Sequence, residues 1–178
     1  MQLTANAAVA IIISSVPCES VLLLRRTQHP LDPWSGHFSF PGGRKSSSDK
    51  DLLQTCLRET YEESGIVLQE DKLSAVMPLA KVGNRTAFSM LVQPFLFRLN
   101  SRPEVCLDTQ EIQSSSWLET RLFRKKSLHI EAEVLPKLNF PAFPYGDYFI
   151  WGFTYNLLCN VLINTLESCS VLGQDVRQ

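Results

Sequence analysis

A chain of 178 residues, 44% hydrophobic and 20% charged, carries enough apolar material for one domain with a real core. Seventeen Lys and Arg against eighteen Asp and Glu leave a net charge of −1, which excludes a global pull toward nucleic acid or an anionic membrane surface. Any anionic ligand must therefore be held by a local site. The five cysteines, Cys18, Cys56, Cys106, Cys159 and Cys169, form no CxxC and no paired zinc spacing. They read as reduced thiols of a cytoplasmic protein, with Cys56 and Cys159 as core hydrophobes.

The first apolar run, Ala7 to Ile13, has no Lys or Arg before it and reads as a strand rather than a secretory leader. No run approaches the ~20 apolar residues of a transmembrane helix. "AAVAIIISS" and "SVLLLRR", split by the turn "VPCE", predict a hairpin with largely buried strands. A stretch rich in Pro, Gly and Ser follows from Thr27 to Asp49, with "HFSF" as a short strand running into "PGG". From there Asp51, Leu52, Leu53, Cys56, Leu57, Thr60 and Tyr61 recur at helical spacing, with Ser48 or Asp49 as N-cap and Gly65 as C-cap. "LSAVMPLAKVG", "TAFSMLVQPFLFRL" and "SSSWLET" predict strands joined by loops at "GNR" and "NSRPEVCLDTQ". "PKLNFPAFPYGDYF" reads as an aromatic, Pro-rich loop and "IWGFTYNLLCNVLINTLESC" as a C-terminal amphipathic helix. The order is that of an α+β or layered α/β/α domain, taken as one unit over 1–178.

Within the helix, "LRETYEESGI" places Glu59, Glu62 and Glu63 inside five residues. Like charges on one turn repel. On a helix Glu59 faces Glu62 and Glu63, so the three can converge on one cation, and hard oxygen ligands suit Mg²⁺ or Mn²⁺. The plain alternative is a solvated helix face. Upstream, Gly42 and Gly43 allow close backbone approach to a ligand, and Arg58 can orient a carboxylate through a bidentate pair.

These residues resemble the Nudix box, G-x5-E-x7-R-E-U-x-E-E-x-G-U with U apolar. The second half matches from Arg58 to Ile66, with Thr60 at the first U. In the first half the pattern's Glu falls on Lys50 and its Gly on Arg44, while Asp49 and Gly43 sit one position earlier. That shifted "FPGG…D" spacing is similar to the coenzyme A diphosphatase branch of Nudix hydrolases. The resemblance implies a Nudix-type α/β/α sandwich with a mixed central sheet, a loop–helix–loop catalytic motif, and hydrolysis of a nucleoside-linked diphosphate with Mg²⁺ or Mn²⁺. It implies Glu59 and Glu63 as metal ligands, Glu62 as a further ligand or water-bridged acid, the Gly43 carbonyl as one more oxygen, and Arg58 as the residue that holds the acids. A homodimer is also compatible with it.

The general base is left open. The branch carries "EVxExxW" before a strand; here "EIQSSSW" keeps Glu111 but places Ser114 at the second acid, so either Glu111 or a box glutamate, Glu62 or Glu63, takes the proton. Upstream, Arg26 and Thr27 match the branch's Arg-Ser, while Pro30, Asp32 and Pro33 stand where a second Arg is usual. Arg26 and Arg44 are candidate phosphate contacts beside the Gly42–Gly43 loop. His29 and His37 read as loop histidines and Trp34 as packing. Three readings follow: a coenzyme A-type pyrophosphohydrolase, one acting on nucleoside triphosphates, ADP-ribose or dinucleotides, and a silent nucleotide-binding domain motivated by Lys50 and Ser114.

Overall fold

The first strands, β1 (Ala7–Ser14) and β2 (Ser20–Arg26), pair antiparallel at Ile13↔Val21 and Ser14↔Ser20, next to their turn. The computed structural model describes residues 4–29, 35–83 and 90–164. Away from the turn the hairpin splays, and the chain fills the gap with its own next segment. β3 (Phe38–Ser39) pairs with β2 at Leu24 and Arg25, and β4 (Gly42–Arg44) pairs with β1 at Ala7 to Val9. Between them the Ala10 N–H donates to the Pro41 carbonyl at 2.8 Å. The Pro-Gly-Gly loop is thereby stitched into the sheet.

α1 (Leu52–Ser64) follows, then β5 (Leu73–Val76), β6 (Ala80–Val82) and β7 (Met90–Leu99). β7 runs parallel to β1 along its whole length, from Ala7↔Val92 to Ser14↔Leu99. β5 and β6 pair with β7 antiparallel. β8 (Ile112–Glu119) pairs antiparallel with β2. The result is an eight-stranded mixed sheet. Burial on both faces explains the near-continuous apolar runs: Ala8, Ala10 and Ile12 alternate with Ile11 and Ile13, and every one is at most 1% exposed. Ala8, Ala10 and Ile12 join Leu22, Leu24, Phe95, Phe97 and Cys56 of α1 in one core. The expected mixed α/β class with a mixed central sheet is the one observed, and Cys56 is the core residue it was read to be.

The N-cap of α1 lies two residues beyond Asp49 and three beyond Ser48, the expected caps. It is Asp51, whose carboxylate accepts from the Gln54 N–H at 2.9 Å, because Asp49 is engaged elsewhere. Gly65 closes the helix as anticipated, at φ +68° with its N–H on the Tyr61 carbonyl. The buried stripe is small and polar: Thr60 donates back to the Cys56 carbonyl at 2.7 Å and Ser64 to the Thr60 carbonyl at 2.5 Å. That satisfied hydroxyl is why Thr serves where the family pattern asks for an apolar residue.

The chain divides into two compact units, Met1–Glu119 and Thr120–Gln178. The second contains α2 (Thr120–Phe123), β9 (Ile130–Leu135), β10 (Leu138–Tyr145), β11 (Tyr148–Trp151) and α3 (Gly152–Cys159), which runs on as a π turn over Asn160–Asn164. The three strands form one antiparallel sheet with β10 in the middle. This corrects two expectations. The aromatic "PKLNFPAFPYGDYF" is a hairpin rather than a loop, turned by Gly146 at φ +60° between the paired Tyr145 and Tyr148. Ile150 and Trp151 belong to β11, so the terminal helix starts at Gly152. Cys159 is partly exposed, not fully core. The readings made on Pro30, Asp32, Pro33 and Trp34, on the "GNR" loop beyond Gly83, on the end of the last helix and on Cys169 lie outside the described residues. Among the described residues no helix is long and apolar enough to cross a membrane.

Candidate active site

Gly42 and Gly43 are required for different reasons. Gly42 has φ +147°, and a Cβ there would lie 2.2 Å from the Ala8 carbonyl oxygen, so β1 itself forbids a side chain. A Cβ on Gly43 would instead lie 2.5 Å from the Glu59 carboxylate, which rests on the bare backbone of β4. One turn along α1, Glu63 accepts from the Gly42 N–H at 2.9 Å and is 5% exposed. The two box carboxylates and the double glycine thus form a single cradle, positioned by the wedge between the splayed strands.

Arg58 is fully committed to holding acids. Its Nε and Nη2 donate to the two Asp49 oxygens, each at 2.9 Å, in a bidentate pair. Nη2 also contacts Glu59 at 2.9 Å and the Arg44 carbonyl at 3.3 Å, and Nη1 meets Glu62 at 2.8 Å. Asp49 is buried and further accepts from the Ser46 N–H and the Thr55 hydroxyl. The guanidinium beside it holds its carboxyl far below the usual range, and the same pairing raises Arg58. Asp49 therefore holds Arg58 from one position before the pattern's Glu, and Lys50 stands exposed in the connecting loop. This role was not read from the sequence; the preserved Gly43-to-Asp49 separation was the available signal.

The expected convergence of three glutamates is not what the side chains do. Glu62 is drawn away by its i,i+4 pair with Arg58, and its side chain is 54% exposed. Among the described residues no group of three or more His, Cys, Asp or Glu is gathered at ligating distance. His29 donates its N–H to Ser35 and the His37 carbonyl accepts from Arg26, which places both in loop architecture. Beyond Glu62, which acts electrostatically on Glu59, a further acid bears on the cradle, Glu111. It acts electrostatically on both Glu59 and Glu63, and Arg26 acts on Glu63 with the opposite sign. Burial pushes the Glu63 carboxyl up to about 8, against the pull of the Gly42 N–H, and burial also raises Glu59. Arg44 is exposed at the end of β4.

Two carboxyls whose charged forms burial disfavours, set beside bare backbone, fit a hard divalent cation that would restore their charge. Glu59, Glu63 and the Gly43 carbonyl offer few but suitable oxygens, and Mg²⁺ takes few protein ligands and keeps several waters.

A family model described as the NUDIX domain matches residues 4–138. The chain belongs to the Nudix family. It is 30% identical over 163 residues to the Nudix hydrolase NudL of Salmonella, covering 86% of this chain and 79% of that protein. It is 39% identical over 109 residues to the Schizosaccharomyces pombe protein C14C4.10c, covering 59% of this chain. There the chain spans about a third of the relative's length, 32%. Among solved structures, a MutT/nudix family protein from Enterococcus faecalis superposes with a TM-score of 0.64 at 14% identity, over 94% of this chain and 64% of that one. At that identity the likeness shows the fold alone. Family and hydrolase homologues together support a pyrophosphohydrolase enzyme.

Proposed function

We propose that this Nudix enzyme hydrolyses the diphosphate of a nucleoside diphosphate derivative with Mg²⁺ or Mn²⁺. The leading substrate is coenzyme A or acyl-coenzyme A, giving adenosine 3′,5′-bisphosphate and (acyl-)phosphopantetheine. The carrying observation is the cradle: Glu59 seated on Gly43, and buried Glu63 tied to the Gly42 N–H. A bound divalent ion supplies charge neutralisation of the diphosphate and acidifies a water. Glu59, Glu63 and the Gly43 carbonyl would hold it. Glu62, turned toward Arg58, is left as the water-bridged acid. Arg58 keeps the acids in register. Arg26, beside Glu63, and Arg44 would bind substrate phosphate.

Glu111 is the proposed general base. It takes the proton of the attacking water as the new P–O bond forms and the bridging P–O bond breaks, and the leaving phosphate departs with the bridging oxygen. The clamp of Asp49 on Arg58 supports the coenzyme A branch, because it gives the shifted "FPGG…D" spacing a working role. The missing second Arg favours the alternative substrates, ADP-ribose, dinucleotides and nucleoside triphosphates. The test is phosphate-containing product release across all four classes with each metal, beside Glu63→Gln. Coenzyme A cleavage lost in that variant supports the full reading. Cleavage of another class alone rejects the branch, and no metal-dependent turnover of any class rejects the enzyme in favour of a binding domain.

A further inference from the structure

We propose that Thr27 is a positioning residue for Glu111, fixing the backbone that carries the proposed base at the end of β2. The inference rests on the reading of Glu111 given above. The Thr27 N–H donates to the Glu111 carbonyl at 2.9 Å, and its hydroxyl lies 3.1 Å from both the Glu111 and the Gln110 carbonyls. One residue contributes two donors to one short segment. The preceding residue, Arg26, is the cation that acts on Glu63.

The segment needs such a clamp. The β2–β8 ladder slips between Arg25↔Ser114 and Arg26↔Ile112, which leaves Gln113 as an extra residue on β8. A bulge of this kind bends the strand and re-aims its neighbours. Beyond it the chain is returned by Asp108: its carbonyl accepts the Ile112 N–H at 2.8 Å and its carboxylate the Gln110 N–H at 2.9 Å. The Asp108 N–H in turn reaches the Glu63 carbonyl at 3.3 Å. Glu111 is therefore strung between the last turn of α1 and the end of β2. Its side chain is exposed, so packing does not fix it, and the backbone must. Thr27 is half-buried and its hydroxyl bonds lie at the exposed surface, so deleting the hydroxyl removes the side-chain half of the clamp and leaves the backbone N–H in place.

The experiment uses the full chain, the metal and whichever substrate of the panel is turned over. Thr27→Val keeps shape and backbone N–H but removes the hydroxyl. It is expected to lower kcat about 10-fold, the factor that about 1.4 kcal/mol of lost support for the base gives, with KM within about twofold. Thr27→Ser should restore kcat to within about twofold of wild type. In a Glu111→Gln background Thr27→Val should add almost nothing, because residues that act as a unit are non-additive. Thr27→Val at wild-type kcat, failure of Ser to rescue, or the same 10-fold loss on top of Glu111→Gln would overturn the role of Thr27 alone. Glu111→Gln at wild-type rate would sink the assignment of Glu111 and this inference with it, while leaving the diphosphatase reading intact.

Discussion

Replacing Glu63 with Gln should abolish turnover and, in metal-free protein at alkaline pH, raise stability. The Glu63 carboxyl is buried and accepts one N–H, from Gly42. Its value is raised from 4.5 to about 8. The folded state then holds a proton that the unfolded chain has released, so stability falls as pH rises from ~4.5 and the loss is complete above ~8. At about 1.4 kcal/mol per tenfold change, the rise corresponds to a ceiling of about 5 kcal/mol. A third of that moves the melting temperature of a domain this size by about 3–6 °C. Glu59 shifts in the same direction and is present in both proteins, so the difference reads Glu63 together with its repulsion with Glu59. The assay is thermal unfolding in EDTA from pH 4.5 to 9, with and without added Mn²⁺. Wild type should lose ground to Glu63→Gln as pH rises, and Mn²⁺ should recover it for wild type alone, by about 2.7 kcal/mol at 100 times the dissociation constant. A wild-type curve that runs parallel to the variant's at every pH, or Mn²⁺ stabilisation that survives the substitution, would refute the reasoning.

The two glycines separate fold from site. Gly42→Ala puts a Cβ into backbone at a positive φ and should cost about 2–6 kcal/mol in unfolding free energy, measured by urea titration. Gly43→Ala meets only the end of a Glu side chain, so it should unfold close to wild type yet lose 10–100-fold or so in kcat and in Mn²⁺ affinity. Asp49→Asn removes the charge that pairs with Arg58; kcat should drop while the acid-side stability loss of wild type disappears. The sign follows from the depressed carboxyl: its contribution is present above the unfolded value near 4 and is lost as pH falls below it. Circular dichroism between pH 7 and 2 reads that loss, and identical acid curves for both proteins would exclude the pairing.

What the sequence made legible is what is local. The hairpin, the helix with its Gly65 cap and the acids at i, i+3 and i+4 are all set by short-range periodicity, and they stand in the structure where the pattern put them. The β10–β11 hairpin was hidden by Pro141 and Pro144, which ordinarily demote a strand. Yet proline's fixed φ lies within the β range, so only a ladder bond is lost, and the Gly146–Asp147 pair between two tyrosines was the turn signal that outweighed it. The site divides the same way. Spacing on one helix put Glu59, Glu62 and Glu63 on one face but could not show which of them Arg58 would pair with, because spacing counts neighbours and not competitors. Asp49, the adjacent pair Arg26 and Thr27, and Glu111 come from three separate turns and strand ends. What brings them to one cradle is the splay of β1 from β2 and the bulge at Gln113, tertiary events with no periodic trace in the chain. Motif matching could say that Asp49 sat one residue early. It took the folded loop to show that the early carboxylate still reaches Arg58, so the departure at Lys50 leaves the box's arginine clamp in place.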